Sequence, residues 1–187
     1  MKTKIISDDI IIAGFGGQGI MMLGKIMAQA GMIAGLHVTW IPKYGAEVRG
    51  GTAHCMVKVS RSEIASPLVT NPSLLVVMNK PSMLKFEGML VPGGSVVINS
   101  SLCDESLERD DVETVMVPAT ELANEIGDVK GANMVALGAL LRLRPIIELS
   151  NVVASLKAIL PPYRHKYIPL NEKALYAGYN YKGGPGK

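Results

Sequence analysis

The sequence predicts an α/β fold: a mostly parallel sheet sandwiched between two helical layers. Three observations predict it. Short apolar runs bounded by glycine and proline alternate with helix-period segments. The first such run ends in a glycine-rich turn that opens a helix. The 187 residues are 48% hydrophobic but only 5% aromatic, so the core is aliphatic and methionine-rich, with 11 Met.

Element by element, Ile10-Ile11-Ile12-Ala13 reads as a buried strand. A helical pattern follows from Gly17 to about Ala34, with Gly35 as its C-cap. His37 to Ile41 reads as a second strand stopped by Pro42, and Lys43 to Gly51 as a polar, glycine-rich loop. Thr52 to Ser60 alternates as a third strand. No helix separates it from the second, so an antiparallel insertion is expected. Leu74 to Met78 is another buried run, and a short helix follows Pro81. Pro92-Gly93-Gly94 is a turn, Ser95 to Asn99 a strand, and Thr114 to Val117 a strand closed by Pro118. Four helical patterns complete the chain, at about Thr120–Ile126, Ala132–Leu143, Asn151–Leu160 and Asn171–Tyr179. One domain spans 1–187, with a frayed tail expected at about 183–187.

Composition narrows the function classes. A formal net charge of +3 is no nucleic-acid signature, though it suits a local anion pocket. Cys55 and Cys103 form no CxxC and suffice for neither an iron–sulfur cluster nor a structural zinc, so they read as buried thiols. No apolar run reaches spanning length, because Lys25 and Arg142 interrupt the best ones. Asp8-Asp9 breaks any leader-like apolar region, and a cytoplasmic protein is expected.

Gly14-Phe15-Gly16-Gly17-Gln18-Gly19 fits G-x-G-x-x-G between a strand and a helix, the Rossmann-like setting in which first-turn amides favour an anion. A nicotinamide site also places Asp or Glu about 20 residues on. Here no acidic residue occurs from Ile10 to Ala46, leaving Lys43 as the candidate for an NADP-type alternative. Gly19 to Lys25 imitates the start of a P-loop, but Ile26 stands where Ser or Thr is needed. Gly24, Ala28, Gly31 and Gly35 read instead as a small-residue stripe for close helix packing.

The second distinctive segment is Tyr44-Gly45-Ala46-Glu47-Val48-Arg49-Gly50-Gly51. By residue type a solvated turn and an anion site built on Arg49 stand even. Among the remaining residues, His54 reads as packed or hydrogen-bonded. Arg142 and Arg144 fit helix-end capping or anion binding. Asn99 reads as a cap for the next segment or a pocket residue. Pro161 to Tyr167 reads as a surface connection.

Together the turn Gly14–Gly19 and the segment Tyr44–Gly51 resemble the gamma subunit, or gamma domain, of 2-oxoacid:ferredoxin oxidoreductases. The resemblance continues through Leu74–Asn79, Gly94–Ser100 and Ala132–Gly138. It implies a complex that converts a 2-oxoacid, coenzyme A and oxidised ferredoxin into acyl-CoA, carbon dioxide and reduced ferredoxin. Thiamine diphosphate and iron–sulfur clusters are then expected on partner alpha and beta subunits, with a delta subunit allowed. The gamma chain would help bind coenzyme A and assemble the complex, and would hold no metal or catalytic residue of its own. Gly14, Gly16, Gly17, Gln18, Gly19, Tyr44, Glu47, Arg49 and Gly50 are the expected coenzyme A-binding residues. Similarity leans towards 2-oxoglutarate as substrate. The isolated chain is expected to be inactive, a homodimer being allowed. No nucleic-acid or membrane partner is expected. A stand-alone NADP-type dehydrogenase and a ligand-free structural subunit are the competing readings.

Overall fold

The computed structural model describes residues 7–43 and 52–183. Six strands form one sheet: β1 (Ser7–Phe15), β2 (His37–Lys43), β3 (Thr52–Ser60), β4 (Leu74–Val77), β5 (Ser95–Asn99) and β6 (Glu113–Val117). Their order is β2-β3-β1-β4-β5-β6. β3 runs antiparallel to both neighbours, while β1, β4, β5 and β6 are mutually parallel. The expected insertion is therefore a single reversed strand, and it separates β2 from β1.

The helices are α1 (Ile20–Ile33), α2 (Lys80–Phe86), α3 (Ala119–Ile126), α4 (Ala132–Leu143), α5 (Leu149–Ile159) and α6 (Ile168–Asn180). Alternation along each strand splits the core in two. Ile10, Ile12, Cys55, Val57 and Val76 face Leu23, Met27, Met134 and Leu137. Ile11, Met56, Leu75 and Val77 face Met83, Phe86 and Leu90. Both faces of β4 and β5 are covered, which explains their unbroken apolar sequences.

Three boundaries depart from the sequence reading. α1 begins at Ile20 rather than Gly17, because Gly17 (φ 95°) and Gly19 (φ 73°) take left-handed conformations that a helix cannot continue. β2 runs through Pro42 to Lys43, since as the edge strand it needs ladder bonds on one side only. In the small-residue stripe, Gly31 does admit a neighbour: an added Cβ would lie 2.7 Å from Val38 Cγ2. Gly35 instead closes the helix at φ 71°, its N–H donating to the Met32 carbonyl at 3.0 Å. The closest helix contact lies elsewhere, where Gly138 of α4 and Gly178 of α6 each face the other helix's backbone.

Candidate functional site: a glycine turn at the sheet's switch point

β1 and β4 are adjacent and parallel, but their chains leave in opposite directions. α1 returns on one face towards β2, and α2 on the other towards β5. Such a divergence opens a crevice beyond the carboxyl ends of the two strands. The turn Gly14–Gly19 lies at the end of β1, and Met78-Asn79 at the end of β4.

Gln18 shapes the turn. Its Oε1 accepts from Phe15 N–H at 2.6 Å and from Asn79 Nδ2 at 3.0 Å, and its Nε2 donates to the Met78 carbonyl at 3.2 Å. Asn79 Oδ1 in turn accepts from Ser82 N–H at 3.0 Å, capping α2. Asn99, at the end of β5, donates to the same Met78 carbonyl at 3.4 Å and to Thr120 Oγ1 at 3.0 Å. Its Oδ1 accepts from Ala119 N–H at 3.0 Å and Thr120 N–H at 3.3 Å. Of its two readings Asn99 is thus a cap, but for α3 rather than for the segment that follows it. Asn133 donates to the Gly19 carbonyl at 3.2 Å from α4.

The glycines divide by cause. At Gly14 an added Cβ would lie 2.6 Å from both Gln18 Oε1 and Ile20 Cδ1, and at Gly19 it would run into Asn133. Gly17 needs its positive φ. Gly16 has neither reason: it is exposed, its φ is not left-handed, and a Cβ there meets nothing within 4 Å. Open space above Gly16 is where a ligand backbone can approach the turn.

Of the residues expected to bind, Gly14, Gly16, Gly17, Gln18 and Gly19 come together here. Tyr44, Glu47, Arg49 and Gly50 lie outside the described residues. Gln18 shapes the turn through its side-chain hydrogen bonds. Asn79, Asn99 and Asn133 were not singled out as partners of the turn; an asparagine at each of two successive strand ends was the available signal.

Other candidates resolve into structure. His54 packs against the Phe86 ring at a centroid distance of 4.9 Å. Burial, then the charges of Lys85 and Lys43, hold its imidazole below the usual histidine value. Cys55 and Cys103 are free, buried thiols, and burial pushes Cys55 up to about 12. Arg142 donates to the Tyr179 carbonyl at 3.2 Å, capping α6 rather than its own helix. Pro162–Tyr167 is an exposed 3-10 turn. Among the described residues no cluster suits a metal ion, and no helix is long and apolar enough to cross a membrane.

The fold and turn define an α/β domain with a glycine-rich turn at the carboxyl end of a parallel strand, a setting that in open α/β sheets suits an anionic or polar ligand. Residues 9–181 match the family model for pyruvate ferredoxin/flavodoxin oxidoreductase, and the chain belongs to this family. It is 41% identical over 132 residues to ketoisovalerate oxidoreductase subunit VorA of Methanothermobacter marburgensis, covering 71% of this chain but only 27% of that one. It therefore spans about a quarter of the length of that relative. With 2-oxoglutarate synthase subunit KorC of the same organism it shares 33% identity, covering 82% of this chain and 87% of that one. Among solved structures it is similar to the keto/oxoacid ferredoxin oxidoreductase gamma subunit from Geobacter sulfurreducens, with TM-score 0.79, 26% identity, and 92% and 96% of the two chains covered. It is also similar to the 2-oxoglutarate:ferredoxin oxidoreductase from Magnetococcus marinus with 2-oxoglutarate, coenzyme A and succinyl-CoA bound. That TM-score is 0.83 at 25% identity, covering 94% of this chain and 31% of the other.

Proposed function

We propose that this chain is the gamma subunit of a 2-oxoacid:ferredoxin oxidoreductase and that its glycine turn binds coenzyme A. The observation that carries the reading is the switch-point turn with open space above Gly16. The solved relative that holds coenzyme A supports it. On this reading Gly16, Gly17 and the first amides of α1 receive a polar or anionic part of the coenzyme. Gln18 holds those amides in place through Phe15 and Met78. Arg49, with Tyr44, Glu47 and Gly50, completes the coenzyme site. Thiamine diphosphate and iron–sulfur clusters, carried by alpha and beta subunits, supply the decarboxylation and electron-transfer chemistry. The contribution of this chain to rate is proximity, holding the acyl acceptor where the product forms.

The substrate we propose is 2-oxoglutarate, supported by KorC relatives that match along nearly their whole length. A branched-chain 2-oxoacid is the second reading, favoured by the higher identity to VorA. The dehydrogenase alternative loses its geometry. In a dinucleotide site the ribose selector ends the strand beside β1, whereas β3 here displaces β2 and its Lys43 by one strand, about 5 Å.

The test is a pull-down of the chain from its native cells, with iron and thiamine analysis, followed by 2-oxoacid assays of the complex. Larger subunits carrying both groups, and an Arg49→Ala complex with a raised KM for coenzyme A, are expected. A lone chain with neither group would end the assignment. An unchanged KM in an intact Arg49→Ala complex would remove Arg49 from the site.

A further inference from the structure

A basic corner lies beside the glycine turn on the α2 face of the sheet. Lys43, the last residue of β2, is the cross-strand partner of His54 on β3, so both side chains share one face. Thr52, two residues before His54, shares that face and is the partner of Phe15, within the turn itself. From α2, Lys85 Nζ donates to Thr52 Oγ1 at 2.9 Å and lies 5.5 Å from the centroid of the Phe86 ring, against which His54 packs. Three basic groups from three elements thus converge on one spot.

Among the described residues no carboxylate forms an ion pair with them. The described carboxylates in ion pairs are engaged elsewhere: Asp9 with Lys58 at 2.9 Å, Glu105 with Lys80, and Asp111 with Arg109 at 2.6 Å. His54 Nδ1 is shielded from solvent and has no hydrogen-bond partner among the described residues. A shielded nitrogen without a partner costs free energy that packing alone does not return. Lys85 and Lys43 both lie near enough for their charges to act on the imidazole. An anion placed there would pair with both exposed ammonium groups, beside the imidazole.

We propose that Lys43, His54 and Lys85 form a phosphomonoester subsite adjoining the glycine turn. The proposal rests on the coenzyme A reading and deepens it. Coenzyme A carries its phosphate chemistry in two places, a pyrophosphate and a separate ribose phosphomonoester. The turn suits the first, because the first amides of α1 and its positive dipole end favour an anion without a side-chain cation. The corner suits the second, because a terminal phosphate is close to a dianion and two ammonium groups match it. Lys43 ends β2 and Thr52 begins β3, so the inserted antiparallel strand is what brings the corner to the turn.

The experiment compares coenzyme A with dephospho-coenzyme A, which lacks only the phosphomonoester. Binding of each is measured by calorimetry on the assembled oxidoreductase containing wild-type, Lys43→Met, Lys85→Met or His54→Gln chains. Lys157→Met on α5 serves as a control for net charge. Lys43 and Lys85 are exposed, so their replacement spares the core; a thermal melt checks each variant. Wild type is expected to prefer coenzyme A at least tenfold. Each lysine variant is expected to lose about tenfold in affinity for coenzyme A and nothing for the dephospho form. Equal wild-type affinity for the two would overturn the subsite while leaving the coenzyme A reading intact. An equal loss for both ligands in the lysine variants would do the same. Failure of wild type to bind either would overturn the coenzyme A reading, and the subsite with it.

Discussion

Replacing Gly14 and Gly16 by alanine separates the turn's architecture from its use. The residues are two apart but face different surroundings. At Gly14 the new methyl would lie 2.6 Å from Gln18 Oε1 and from Ile20 Cδ1. Both must move, and moving Gln18 Oε1 disturbs its bonds to Phe15 and Asn79. Overpacking of this kind costs about 2 kcal/mol. For a chain of this length that lowers Tm by about 4–8 °C. At Gly16 the methyl meets nothing within 4 Å, and the backbone is not left-handed. Alanine there restricts the unfolded chain and stabilises by about 0.4–1 kcal/mol, raising Tm by about 1–4 °C. The effects on ligand should run the other way for Gly16: under the proposed coenzyme A reading the methyl would stand where the coenzyme backbone approaches, and affinity should fall at least tenfold. Differential scanning calorimetry of each variant, paired with coenzyme A titration of the assembled enzyme, reads both quantities. A stable Gly16→Ala chain that binds coenzyme A like wild type would refute the argument that the open space is a ligand's. A Gly14→Ala chain with an unchanged Tm would refute the bracing role of Gln18.

Two further predictions concern stability. Gly178→Ala places a Cβ 2.7 Å from the carbonyl carbon and 2.9 Å from the Cα of Val135, backbone atoms that cannot rotate away. The α4–α6 crossing should open at a cost of about 3 kcal/mol, partly offset by about 1 kcal/mol of helix propensity, and Tm should fall by about 4–8 °C on a thermal melt. Asp8 is 2% exposed, and burial raises its pKa above 3.8 against the hydrogen bond donated by Ser73 Oγ at 3.1 Å and the attraction of Arg144. The folded state therefore binds this proton more tightly than the unfolded one. Stability from this group falls as pH rises from about 4 through the raised value. Asp8→Asn should melt higher than wild type at pH 7, with the gap closing as pH drops below about 4; a gap independent of pH would contradict it.

Much of the fold was legible because its signals are local. Thr52–Ser60, Ser95–Asn99 and Ala132–Leu143 are bounded by turn residues and carry their period within about ten residues. The reversed strand followed from the missing crossover helix alone. The turn Gly14–Gly19 was legible as a glycine-rich turn between a strand and a helix because the three are contiguous. What it could not disclose was why each glycine is there. Gly14 answers to Gln18 and Ile20, Gly19 to Asn133 more than a hundred residues away, and Gly16 to nothing in the described chain.

By itself, then, the sequence determined the element types, the parallel and reversed strands, the glycine turn and, through the two loop motifs, the family. Tertiary structure alone decided the strand order that displaces β2 from β1. It also decided the asparagine brackets that join Gln18 to β4 and β5 to α3, and the meeting of Lys43, His54 and Lys85. The physical reason is range. Periodicity and turn chemistry are set by neighbours along the chain, whereas register and crevice composition are set by how buried faces from the whole chain are satisfied at once.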